Sequence, residues 1–112
     1  MASARAMIER RRSSRVLIRI PVQVFGDGSF GQPLDSPAEA IAVSRFGALL
    51  RAPFSPALGS RIAVLNPVSR ETQEFRVIRV QGADDGTFEL GIEILYPTKN
   101  FWPVHFPDEQ FA

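Results

Sequence analysis

The sequence predicts an all-β fold, a small barrel of about six short strands. Three observations lead there. Six short runs rich in apolar residues read as strands, with clear period-two alternation in the first, Val16 to Phe25, and the last, Phe88 to Ile94, the pattern of strands with one buried face. Clusters of Gly, Pro, Ser and Asp separate these runs at short intervals, as in small all-β folds. No stretch of useful length repeats apolar residues with the helical period. Between a sandwich and a barrel, a barrel suits so short a chain, because closure removes exposed strand edges.

Residues 1–14 read as a basic arm, with a helical tendency around Ala4 to Arg12 too brief to hold alone. The barrel is expected over 15–96. Its first strand begins at Val16, where Val16, Ile18, Ile20, Val22 and Val24 alternate with Leu17, Arg19, Pro21, Gln23 and Phe25. Pro21 lacks an N–H, so this strand should lie at an edge or carry a bulge. Gly26 to Pro37 reads as a loop. Glu39 to Ser44 and Gly47 to Ala52 read as the second and third strands, joined by Arg45-Phe46, and Ser60 to Asn66 as the fourth. In the fifth, Thr72 to Gln81, Phe75 and Val77 are expected on one face and Ile78 and Val80 on the other. Ala83-Asp84-Asp85-Gly86 is a hairpin turn, since Asp-Gly supplies the positive φ that tight turns need. The sixth strand, Phe88 to Tyr96, sets Phe88, Leu90, Ile92 and Ile94 against Glu89, Gly91 and Glu93. Residues 97–112 form a proline-punctuated tail carrying Phe101, Trp102, Phe106 and Phe111.

The 112 residues, 45% of them hydrophobic, suit one domain spanning 1–112, and a chain of this size buries about 65% of its unfolded surface. There is no cysteine, which excludes disulfides, a thiolate metal site and a cysteine nucleophile, and fits a reducing compartment. No apolar run approaches the ~20 residues of a membrane span, and no apolar leader follows Met1. A cytoplasmic protein is expected. Chemistry of the enzymatic kind has few carriers here. His105 is the sole histidine, so neither a histidine metal site nor a histidine-activated nucleophile is marked out. The paired carboxylates Asp84-Asp85, Asp108-Glu109 and Glu89 with Glu93 fall in a turn, near the terminus and on a solvent face. Glycine fingerprints for nucleotide phosphates are absent. The chain reads as a non-enzyme without a cofactor.

Charge is distributed unevenly. Residues 1–19 carry six arginines against one glutamate, a net of +5, while the remainder carries −4. Of the thirteen basic residues only Lys99 is a lysine. Guanidinium forks bind paired acceptors and stack on flat rings, which an ammonium does not do. The arm is therefore either a solvated tail or the meeting point with a phosphate- or base-bearing partner.

Two short motifs bear on that choice. Arg10-Arg11-Arg12-Ser13-Ser14-Arg15 leads into the first strand and contains Arg11-x-x-x-Arg15. Ser44-Arg45-Phe46-Gly47 lies between the second and third strands, where a hydroxyl can donate and accept and a glycine admits close approach. Each alone is a weak signal. Their order on a small barrel, followed by Phe88-Glu89-Leu90-Gly91-Ile92-Glu93-Ile94, resembles the PilZ domain, whose motifs are R-x-x-x-R and [D/N]-x-S-x-x-G. The tail from Asn100 to Pro107 also looks like endings of some bacterial members. The resemblance covers about residues 9–107.

The resemblance implies a six-stranded antiparallel split barrel that binds the bacterial second messenger cyclic di-GMP and signals through a mobile arm to a protein effector. Arg11 and Arg15 would anchor guanine edges and phosphates, with Arg10 and Arg12 as helpers. Ser44 would hydrogen-bond the ligand and Gly47 would leave room for it. Ala42 stands where the family has Asp or Asn, so one polar contact to guanine is missing. Arg45 would either touch phosphate or face solvent as a turn residue. A degenerate PilZ domain, acting as an adaptor in motility or pilus assembly without nucleotide, is the alternative, either through an exposed Phe101/Trp102/Phe106 patch or with those aromatics capping the barrel. A single-stranded nucleic-acid binder fits less well, because the strands are acidic on balance and lack interleaved basic and aromatic residues.

Overall fold

The computed structural model describes residues 15–27, 32–96 and 101–104. They form strands β1 (Val16–Asp27), β2 (Pro33–Ser44), β3 (Gly47–Ala52), β4 (Arg61–Asn66), β5 (Glu71–Gly82) and β6 (Phe88–Ile94). Every neighbouring pair is antiparallel, and the order β1-β2-β3-β6-β5-β4 closes on itself as a barrel. The all-β architecture read from the alternation is the one adopted. No helix among the described residues is long and apolar enough to cross a membrane.

The seam that closes the barrel is short. β1 meets β4 only over Gln23–Gly26 against Ile62–Leu65, so among the described strands the first half of β1 has β2 as its one neighbour. Pro21 falls in that half, where a missing N–H costs no second ladder. A register shift between Leu17 and Ile20 accompanies it.

Two sequence expectations are corrected. The stretch 26–37 is not all loop: Gly26 pairs with Leu34 and Asp27 with Pro33. Pro33 and Pro37 are tolerated because β3 pairs with β2 only from Glu39 onward, leaving the proline-bearing end of β2 an edge. The second correction concerns β5. Val77 faces Ile92 and Arg79 faces Gly91, so Ile78 is an inserted bulge residue. The insertion resets the alternation. Val80 returns to the interior side with Phe75 and Val77, and Ile78 alone is left outside, 54% exposed.

The interior is filled by the inward residues of all six strands, among them Val24, Val43, Leu50, Val64, Phe75 and Leu90. Phe101 and Trp102 are also buried. Their rings meet edge-on at 4.7 Å between centroids, and Phe75 lies 5.7 Å from Phe101 and 6.3 Å from Trp102. Such tilted aromatic contacts add to the stabilisation from burial. Asn66, at the end of β4, donates to the Phe101 carbonyl oxygen and ties the segment down. These two aromatics therefore close the barrel and are not an exposed patch; Phe106 and His105 lie outside the described residues. The β5–β6 connection turns as read, with Gly86 at φ +86° and the Gly86 N–H donating to the Ala83 carbonyl.

Candidate functional site

Ser44 pairs with Gly47, leaving only Arg45 and Phe46 in the turn. Among described non-glycine residues only Arg70 has positive φ, so this turn is not of the mirror-image type usual in two-residue hairpins. Side chains hold it instead. The Ser44 hydroxyl oxygen accepts from the Phe46 N–H at 3.3 Å, and the Phe46 carbonyl accepts from the Ile94 N–H at 2.8 Å, fastening the turn to the end of β6. Gly47 has a packing reason of its own: a Cβ there would run into the Ile92 carbonyl oxygen across the β3–β6 ladder. Closeness of the two backbones by itself requires glycine at 47, whether or not a ligand is bound.

Strand pairing then sets out the outer face in rows. One row reads Ser44, Gly47, Glu93, Arg76 across β2, β3, β6 and β5. Arg15 sits one residue before the Val16–Val43 pair and extends this row on the β1 side. The next row reads Leu17, Ala42, Leu49, Gly91, Arg79. Ala42 is buried yet stands outside the interior cluster that holds Ala40 and Val43. The cause is a second bulge: Ala40 pairs with Leu50 and Ala42 with Leu49, so Ile41 is the extra residue.

These rows enclose an open cleft of about 480 Å³ lined by Arg15, Ala42, Ser44, Phe46, Gly47, Leu49, Ile78, Arg79, Glu89, Gly91 and Glu93, among others. Four residues singled out from the sequence, Arg15, Ala42, Ser44 and Gly47, thus line one concavity. Arg10, Arg11 and Arg12 lie outside the described residues. Arg45 is not part of the lining; its guanidinium lies over the Phe46 ring, 5.5 Å from the centroid.

The cleft offers three kinds of contact. Ala42, Leu49 and Gly91 supply a low apolar floor suited to a flat ring. Arg15 and Arg79 place cations on opposite walls, and the Arg79 guanidinium donates to Gln81 Oε1 at 2.6 Å. Glu89 and Glu93 bring two carboxylates, of which Glu89 is 3.4 Å from Arg51. The formal charges of these lining residues cancel, so selectivity must come from position and not from net field. Among the described residues no three of His, Cys, Asp and Glu gather where a metal ion could be held.

Arg79, Glu93, Ile78 and Gly91 were not marked as site residues by the sequence, which placed Glu89 and Glu93 simply on a solvent face. Their membership follows from the β3–β6 pairing and the bulge at Ile78, neither of which is written in local alternation. No protein-family model matches this chain, and no curated protein matches it.

Proposed function

We propose that the protein is a PilZ-type receptor module that binds cyclic di-GMP on the outer face of the barrel. The observation that supports this reading is the meeting of Arg15 with Ser44 and Gly47 in one cleft, although some thirty positions separate them in sequence. In this reading Arg15, joined by Arg11 from the arm, takes phosphate oxygens and stacks on a base. Ser44 donates a hydrogen bond, and the Ala42–Leu49–Gly91 floor carries the flat ring. In this reading the signal passes to a protein effector through rearrangement of the arm.

A second reading is favoured by Ala42. A receptor of this type without its Asp or Asn loses one desolvated polar contact, which costs about 1–3 kcal/mol. That is roughly five- to 150-fold in affinity. The same barrel would then serve as an adaptor that needs no nucleotide. Calorimetric titration separates the two. The receptor reading expects a micromolar Kd that is lost in Arg11→Ala and Arg15→Ala while the far-ultraviolet dichroism stays unchanged. Absence of heat at about 100 μM ligand, a hundredfold above such a Kd, overturns it in favour of the adaptor.

A further inference from the structure

Resting on the receptor reading above, we infer that Glu93 is the residue that reads the guanine edge, from the opposite wall to the one where the family motif would place a polar side chain. Its place in the fold is the first ground. Glu93 faces Gly47 across the β3–β6 ladder, and Ser44 faces Gly47 on the other side. The one position between hydroxyl and carboxylate therefore has no side chain to separate them. A flat base lying over Gly47 meets Ser44 along one edge and Glu93 along the other.

The second ground is that the carboxylate is uncommitted. Glu89, the other acid in the cleft, is held by Arg51 at 3.4 Å. Among the described residues Glu93 makes no ion pair and accepts no side-chain hydrogen bond. It is exposed on a strand whose neighbouring residues, Ile92 and Ile94, are anchored in the core.

The third ground is chemical. Guanine presents N1–H and the N2 amino group side by side, two donors that match the two oxygens of one carboxylate. Adenine presents a single amino donor beside a ring-nitrogen lone pair, which a carboxylate repels. A carboxylate is a poor neighbour for phosphate, and the row separates the two. Arg15 and Glu93 stand three strand spacings apart along the row, about 14 Å as followed over the curved sheet. That distance lets phosphates sit at the arm end and a base edge at Glu93. Arg76, the cross-strand neighbour of Glu93 on β5, offsets the acid's charge at that end.

The test is equilibrium titration of wild type, Glu93→Ala and Glu93→Gln with cyclic di-GMP, cyclic di-IMP, which lacks the N2 amino group, and cyclic di-AMP. Wild type is expected to prefer the guanine compound over the other two by roughly five- to 150-fold, the discrimination of a bidentate contact. Glu93→Ala erases that preference, and Glu93→Gln, which keeps the volume and one acceptor oxygen, weakens it. Arg15→Ala weakens all three compounds alike. If both Glu93 variants keep the wild-type preference, the assignment of Glu93 is wrong and the receptor reading stands. If wild type binds none of the three, both fall together.

Discussion

Asn66 donates from Nδ2 to the carbonyl oxygen of Phe101 at 2.8 Å, bridging the end of β4 and a segment 35 residues later. Its Oδ1 accepts from the Val68 N–H at 3.0 Å. Asn66 is wholly buried, so one inward side chain serves both a turn donor and the acceptor of the closing segment.

Replacement of Asn66 by Ala leaves both groups without their partner. A loss of about 1–3 kcal/mol in unfolding free energy is expected, read as a lower urea midpoint. Trp102 emission should shift to the red as the segment loosens. Asn66→Asp is expected to be worse at neutral pH, because a carboxylate cannot donate to the Phe101 carbonyl and would be a buried charge without a counter-charge.

Gly47→Ala tests what the glycine is for. A Cβ at this position meets backbone, which cannot swing aside as a side chain does. Destabilisation of about 1–3 kcal/mol is expected without any ligand present, measured by chemical denaturation. An unchanged midpoint would return the glycine to the role of making room for a bound molecule.

Asp85 gives a pH-dependent signal. Its carboxylate accepts from the Thr87 hydroxyl at 2.6 Å and the Thr87 N–H at 3.1 Å. These bonds hold the carboxyl below its ordinary value of 3.8, the hydroxyl contributing most. A lowered native value means the turn gains stability above the unfolded value and loses it as pH falls through the native one. Side-chain carboxyl NMR should find Asp85 titrating low, and Thr87→Val should move it upward.

On the receptor reading, Ala42→Asn supplies the polar atom that the PilZ motif has at this position. On the cleft floor, between Leu17 and Leu49 in the paired strands, an amide can reach a base edge. Cyclic di-GMP affinity is expected to rise by roughly five- to 150-fold. Titration heats that do not change would show that no base lies over this position.

Parts of this molecule are plain in its sequence. Gly47–Ala52 is a strand with the bounds that its flanking turn and Pro53 suggest. Leu90, Ile92 and Ile94 point inward as their alternation requires. Pro33 and Pro37 misled because proline signals a loop, yet at a sheet edge it is compatible with pairing. Ile78 misled because a bulge breaks parity without any residue that announces it. For the site, Arg15, Ser44 and Gly47 stand out by type and order. Arg79 and Glu93 do not, because their neighbours come from strands that pair out of sequence, and an exposed acid or base on an alternating strand carries no local mark.

Among the described residues the barrel's centre is filled and stoppered by Phe101 and Trp102, and the cleft beside Ser44 and Glu93 lies on its outside. A molecule held in that cleft would be gripped from outside and would keep part of its own surface bare to water. A larger protein approaching that side would touch guest and host at once, and could tell a loaded molecule from an empty one without any change in the host's shape.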